Sequence, residues 1–483
     1  MPFTGRKAEL AELAHQLERV RLGARVDRGA ALLLRGRRRV GKSSLITEFV
    51  RKTGAPSLYF QAARGASTTT ELAHFTESIA ASDLPNAHLA RDNKPATLTA
   101  ALSLLATALS ADTPSIVVID EAPWLLESIP GGAGELQRVW DHQLASKPVL
   151  LILLGSDLAM MEELSRPSQP FHGRATEMIL NPLNPLDVAT MTGLDSVSAL
   201  DAYLITGGLP MTVQEWTPGT TREQFVKKSF ERSTSALVVS GLRILDSEFS
   251  TDTHAREVLS AIGGRGERTF TGISHDLGGT ITAVTLNKSI GILATKRIIA
   301  AESPLSTRTA LKDKRWRVSD PGLAFWLSYV QPSLGAIDRG RPDLAISHVN
   351  SGFNAWRGRA IEPVVREALQ LLLPDSQFPD ANLVGGWWPR NNNPEIDLVA
   401  AHKSPAKAIS FVGSIKWRNK RIISTADIHD LATSAMRVPG ANALTPLVVV
   451  CPTTKSRDPR IAKSWNAKDL LDAWKSLHPH SGE

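Results

Sequence analysis

The chain has 483 residues, of which 42% are hydrophobic and 21% charged, and a net charge of +7 at pH 7. That length provides for roughly two to four domains with ample core, and the composition is that of an ordinary globular protein. A single cysteine, Cys451, excludes a disulfide framework and any zinc site built on several thiolates. No apolar run approaches the roughly 20 residues needed to span a membrane. The charged, helix-periodic start "MPFTGRKAELAELAHQLERV" lacks a signal-peptide core, so the expected setting is the cytoplasm. The positive charge is local: residues 296–317 hold seven Lys or Arg against two acids, and residues 411–483 hold eleven against six. Such segments suit polyanion contacts, or are solvated faces.

The first element with chemistry is "ALLLRGRRRVGKSSLITEFV", an apolar strand, a glycine-bounded loop and an amphipathic helix. Gly36 to Ser43 fits G-x-x-x-x-G-K-[ST] in the strand–loop–helix setting that this motif requires. Gly36 and Gly41 let the backbone turn its N–H groups toward phosphate oxygens at the positive end of a helix. Lys42 reaches the β- and γ-phosphates, Ser43 offers a hydroxyl to Mg²⁺, and Ser44 follows within the same nucleotide-binding turn. "PSIVVIDEAPWLL" supplies the partner strand: Asp120 is the Mg²⁺ contact, and Glu121 either orients the attacking water or merely begins a loop. "PVLLILLGSD" is a third buried strand, ending in Ser156 and Asp157, where a polar group senses the γ-phosphate or simply makes a turn. A guanine-specific N-K-x-D on a suitable strand is absent, so the cofactors expected are ATP and Mg²⁺.

In order, "FTGRKAELAEL", "GRRRVGKSSL", "VVIDEAPWL", "LLGSDLAMM", "FHGRATEMILNPL" and "GGLP" resemble a prokaryotic ATPase family first described from archaea. That family is an AAA+/STAND-like branch of the P-loop ATPases, and the motifs cover about 215 residues. The resemblance implies that Gly5 and Arg6 flank the adenine pocket. It implies an arginine finger at Arg174, whose bland alternative is a surface residue before a strand. It also implies that Pro210 lies in a helical lid touching the nucleotide.

Beyond the lid, "HAREVLSAIGG", "TFTGISHDLG" and "TITAVTLNKSIGIL" read as three short helices, followed by two strands around a basic loop. Three helices and a hairpin make a winged helix. Its third helix would offer Thr285, Asn287 and Lys288 to a DNA groove, and its wing would offer Lys312, Lys314 and Arg315 to phosphates. The alternative is a winged helix that only packs against the motor. "SDPGLAFWLSYVQP" resembles the segment closing this domain in the family's larger members, and "QPSLGAIDRGRPD" reads as a linker.

In those relatives a C-terminal domain of unknown function follows, with a restriction-endonuclease-like PD-(D/E)xK core. Here "FNAWRGRAIEPVVREAL" matches its opening helix, with Glu362 at the motif position, and "NPEIDLV" and "SIKW" match its sheet. Phosphodiester cleavage needs a metal held by two or more carboxylates and a lysine to position hydroxide. Glu362 and Asp397 are the candidate Mg²⁺ ligands and Lys416 the positive group. Glu395 is either a spatial substitute on the same side of the strand or an adjacent surface acid. Relatives carry an acid where this chain has Ser414, a poor Mg²⁺ ligand. The run "KWRNKR", with Arg418, Lys420 and Arg421, suits a polyanion on any reading.

The expected architecture is therefore α/β: a P-loop core over 1–185 with a parallel sheet and a helical lid over 186–245. A winged helix over 246–330 and a linker over 331–348 lead to a nuclease-like α/β domain over 349–483. The expected function is an ATP-hydrolysing, DNA-associated switch or motor whose nuclease-like domain holds DNA with weak or lost cleavage. The rivals are an ATP-gated nuclease and a signalling ATPase that holds a protein partner. A homo-oligomer is compatible with each, and a membrane with none.

Overall fold

The computed structural model describes residues 3–23, 28–156, 158–167, 169, 171–249, 253–263, 266–309, 313–418, 423–453 and 456–477. The chain divides into two compact units, one running to Pro182 and a second from Leu183. Among the described residues no helix is long and apolar enough to cross a membrane.

The first unit is built on five parallel strands: β1 (Ala30–Arg35), β2 (Ser57–Gln61), β3 (Ser115–Asp120), β4 (Val149–Gly155) and β5 (Ala175–Ile179). Their order is β2-β3-β4-β1-β5, with Gln61 level with Asp120 and Arg35 level with Gly155. Because helices cover both faces, β3 and β4 are apolar and buried along nearly their whole length. On one face Leu32, Leu34, Ile116, Val118 and Ile152 meet Leu13 and Leu17 of α1 (Lys7–Leu22) and Leu45 and Phe49 of α2 (Lys42–Thr53). On the other, Leu33, Val117, Ile119 and Leu151 pack under Phe75, Leu102 and Leu105. The loops after β1, β3 and β4 leave the carboxyl ends of neighbouring strands, where open α/β sheets place their ligands.

The second unit begins with helices, among them Ser196–Thr206, Pro210–Gln214, Arg222–Phe230 and Ala236–Glu248. Then come Thr253–Gly263, β6 (Arg268–Thr269), Phe270–Asp276, Ala283–Thr295, β7 (Ile299–Glu302) and β8 (Arg315–Val318). The last three strands form an antiparallel sheet ordered β6-β8-β7. All three helices expected from the sequence are present, and β6 is an addition. Residues 305–307, after β7, are tied to the C-terminal sheet. Leu305 and Thr307 donate backbone hydrogen bonds to Gly386 and Pro439 at 2.8 and 3.2 Å, and Ala406 donates one to Ser306 at 2.9 Å. Leu305 itself is buried with Trp387, Ile396 and Val399.

Residues 331–348, expected to be a linker, are largely helical, and Ile337 and Ala345 join the same core cluster as the preceding helices. The Pro and Gly there mark helix ends. Pro342 is at the first position of helix Pro342–Ala360, and Gly340, with φ 70°, ends the helix before it. Leu334–Asp338 and Pro342–Ala360 are therefore joined by a tight turn.

Helix Glu362–Leu372 leads into β9 (Leu383–Trp387), β10 (Ile396–Ala401), β11 (Phe411–Ile415), β12 (Leu447–Val450) and β13 (Ile461–Trp465). The sheet order is β13-β12-β11-β10-β9, antiparallel about β10 and parallel through β11, β12 and β13. One face is closed by Glu362–Leu372 together with Ala199, Leu200 and Leu204 of the earlier helix Ser196–Thr206. Arg357 seals that junction by pairing with Asp201 at 3.0 Å. The helical segment, the hairpin sheet and the C-terminal sheet thus share cores within one unit.

Candidate functional sites

The nucleotide-type site lies in the first unit. Gly41 begins α2 with φ 92°, a left-handed value that glycine adopts without strain. Gly36 is needed for a different reason: a Cβ there would sit 2.5 Å from the Leu180 carbonyl oxygen. The Lys42 ammonium donates to the Gly36 and Arg37 carbonyls at 2.6 and 3.1 Å. Burial pulls its pKa down to about 8, with Glu121 and Asp120 opposing and Arg38 reinforcing the shift. Ser43 and Ser44 are exposed at the first turn of α2.

Asp120 ends β3 and is buried. Its Oδ2 accepts from Ser43 Oγ at 3.0 Å and from Tyr59 Oη at 2.5 Å. Glu121 is left-handed, with φ 53°, and its N–H donates to Asp120 Oδ1 at 2.9 Å. That turn sends its carboxylate across to the end of β4, where Ser156 donates Oγ–H at 2.7 Å and N–H at 3.3 Å. Arg38 reaches Ser156 Oγ at 3.4 Å and lies over the Trp124 ring. The Ser43 hydroxyl and the Asp120 carboxylate, already in contact, suit the oxygen preference of Mg²⁺.

Tyr59 and Arg38 were not singled out from the sequence. Tyr59 sits on the strand beside β3, and burial, reinforced by Asp120, pushes its phenol above its ordinary pKa. A polar residue in the strand next to an acid-terminated one was the available signal. Arg6 is buried and donates to the Val40 carbonyl at 2.9 Å, so it braces the phosphate loop from behind; Gly5 beside it has φ 79°. Arg174 forks onto Asp141 at 2.7 and 2.9 Å with 30% of its side chain exposed. Pro210 opens the helix Pro210–Gln214 of the second unit.

The second site lies within the second unit, where a cavity of about 980 Å³ is lined by Glu267, Arg315, Glu362, Arg366, Glu395 and Asp397, among others. Asp397, on β10, accepts from Ser414 Oγ at 2.8 Å and from the Ile415 N–H at 2.7 Å. Burial pushes Glu362 up to about 8; Asp397 adds to the rise and Arg366 opposes it. Lys416 is not among the cavity-lining residues. It follows β11, its N–H bonded to the Val450 carbonyl, and its charge is felt at Cys451. Cys451 itself is buried, as its apolar context required.

The structure therefore brings Glu362 and Asp397 to one cavity, ties Ser414 to Asp397, and adds the cations Arg315 and Arg366, which were not read from the sequence as cavity residues. Among the described residues no group of three or more His, Cys, Asp or Glu is arranged to hold a metal. Glu362 and Asp397 both line the cavity, and Arg366 donates to the Glu362 carboxylate at 3.2 Å. Glu395 pairs with Arg315. Arg315, expected on the wing surface, is 6% exposed and lines the cavity. Of the remaining DNA-contact candidates, Asn287, Lys288, Lys314 and Arg418 are exposed. Thr285 is half-buried against Thr282, while Lys312, Lys420 and Arg421 lie outside the described residues.

Known proteins were compared with this chain as a whole. The model of a family described as archaeal and bacterial proteins of unknown function matches residues 326–429. An uncharacterized protein of Methanocaldococcus jannaschii is 26% identical over 428 residues, 86% of this chain and 88% of that one. The Walker-type ATPase of Pyrococcus abyssi is similar at 20% identity and a TM-score of 0.49, over 67% of this chain and 96% of its own. The Aeropyrum pernix ORC1 protein, solved in complex with DNA, has 17% identity and a TM-score of 0.32, over 71% and 94%. A STAND protein with a tetratricopeptide-repeat sensor from Pyrococcus horikoshii has 14% identity and a TM-score of 0.30, over 77% and 51%. By its own phosphate loop, acid-terminated strand and β2-β3-β4-β1-β5 sheet, the first unit carries the parallel α/β fold of a P-loop protein, and the second unit holds an additional C-terminal sheet domain.

Proposed function

We propose that this protein is an ATP-binding and ATP-hydrolysing switch that associates with DNA, and that its C-terminal domain is a nuclease-like fold which holds DNA without cutting it. The observation that carries the ATPase part is that the side chains bonded to Asp120 and Glu121 are hydroxyls. Ser43 and Tyr59 contact Asp120, and Ser156 contacts Glu121. Hydroxyls exchange readily, so Asp120 can turn to a metal and Glu121 to a water without leaving a buried charge stranded. Ser43 and Asp120 would hold Mg²⁺, which would supply charge neutralisation at the phosphates. Lys42 would bind the β- and γ-phosphates. Ser156 holds the Glu121 carboxylate aside, and a γ-phosphate arriving at the end of β4 would compete for Ser156 and release it.

The DNA part is supported by the helix Ala283–Thr295, which presents Val284, Asn287 and Lys288 to solvent in the third-helix position of a winged helix. The wing is not proposed as a contact, because Leu305 and the Ser306–Thr307 backbone are committed to the C-terminal domain. Fluorescence anisotropy with labelled duplex DNA over a range of salt concentrations tests this. Binding should weaken steeply with salt, and Lys288→Ala should reduce the log–log slope by about one. Binding that is insensitive to both salt and Lys288 would remove the DNA reading and leave a protein partner.

A further inference from the structure

The C-terminal fold implies a divalent ion between Glu362 and Asp397, and the side chains present do not fit one. Arg366 stands against both residues, bonded to the Glu362 carboxylate and the Asp397 main-chain carbonyl. It is 5% exposed, and its guanidinium is committed on three sides. Nε donates to the Asp397 carbonyl at 3.1 Å, Nη1 to Glu267 at 3.1 Å and Nη2 to Glu362 at 3.2 Å. Glu267 comes from just before β6 in the hairpin sheet, about a hundred residues away in sequence. Its second oxygen accepts from Arg315 Nη1 at 3.1 Å. Arg315 also pairs with Glu395, donates to Asn392 at 2.9 Å, and stacks its guanidinium 4.1 Å from the Trp388 ring centroid.

The charges alternate through space: Glu362, Arg366, Glu267, Arg315, Glu395. Two of these five side chains, Glu267 and Arg315, belong to the hairpin sheet; the other three belong to the C-terminal domain. A planar guanidinium satisfies acids bidentately and is never deprotonated in proteins. A divalent ion placed beside it would meet an unscreened like charge.

We propose that Arg366, seconded by Arg315, is the resident cation of this acidic centre in place of a metal, so that the remnant of a nuclease site serves as a charge clasp. The clasp closes the hairpin sheet onto the C-terminal sheet. This rests on the nuclease-like reading only for the expectation that a metal belongs there. DNA binding is not its readout, so the two can fail separately.

The test is Mn²⁺ binding without nucleotide, followed by the electron paramagnetic resonance signal of the free ion. Wild type and Asp397→Asn should bind equal amounts. Arg366→Met should gain one Mn²⁺ per chain, and the double variant Arg366→Met/Glu362→Gln should lose it again. The proposal is overturned if wild type holds a Mn²⁺ that Asp397→Asn loses, or if folded Arg366→Met gains none. Circular dichroism on Arg366→Met and Arg366→Lys covers the case of misfolding. A folded lysine variant beside an unfolded methionine variant supports the need for a cation here. Both unfolding would assign Arg366 to packing and overturn the proposal.

Discussion

The two carboxylate sites of this protein use the same residue types and differ in what touches the acids. In the first unit, Asp120 and Glu121 are met by Ser43, Tyr59 and Ser156, all neutral hydroxyl donors. In the second, Glu362 and Glu267 are met by Arg366 and Arg315, both permanent cations, while Asp397 is met by the Ser414 hydroxyl and the Ile415 N–H. A hydroxyl satisfies a carboxylate while leaving its charge available to an incoming metal. A guanidinium cancels that charge and fills the space. On the clasp proposal, the contrast teaches that an acid's readiness for a metal depends on its neighbours' charge as well as on its motif.

The largest effect should come from Lys42→Ala, which removes the cation facing the phosphates and should nearly abolish ATP binding in a filter assay. Retained binding would mean that the loop holds nucleotide by its backbone alone. Next comes Arg174→Ala, with an expected loss of turnover on the order of a hundredfold or more if the residue reaches a transferring phosphoryl group. Its pairing with Asp141 is partly exposed and should matter little to stability. An unchanged rate would assign Arg174 to that surface pair alone.

Glu121→Gln should keep ATP bound while phosphate release falls at least tenfold, because binding does not need the water-activating base. A wild-type rate would remove that role from Glu121. A pH series sharpens the same site. Lys42 is charged below about pH 8 and neutral above it, and ATP favours the charged form. Affinity for a fluorescent ATP analogue should therefore be flat through neutrality and fall by roughly tenfold per unit above that point. The stability of the nucleotide-free fold should move the opposite way, rising from about pH 8 toward the ordinary lysine value. Affinity that stays flat to pH 9.5 would show that Lys42 is not the phosphate's cation.

The smallest effect is predicted for Ser414→Glu. It supplies the missing acid beside Asp397 but leaves Arg366 in place, so calorimetry should show no Mg²⁺ binding gained. A gain from this substitution alone would mean that serine, and not the guanidinium, excludes the metal.

Much of the first unit was legible because its signals are local. A strand, a glycine-bounded loop and an acid-ending apolar strand each specify their neighbours within a few residues. Tyr59 and Arg38 were missed because their contacts are to residues 61 and 118 positions away; the polar residue on the strand beside β3 was the one hint, and it pointed only to Tyr59. In the second unit, Ser414 was visible as a departure, yet its companions were not. Arg366 stands four residues after Glu362 and looks like any helix-surface pair. That i, i+4 spacing was the one available clue, and Glu267 and Arg315 gave none. The supposed linker failed for a physical reason too: proline at a helix start and glycine at a helix end were read as a break.

The most direct test of the account is incubation of the wild-type protein with supercoiled plasmid, ATP and Mg²⁺, scored on one gel for retardation and for nicking. The account predicts plasmid that is retarded at low salt, released at high salt, and uncut throughout. Nicking by the wild type that disappears in Asp397→Ala would contradict it and make the C-terminal domain an active nuclease.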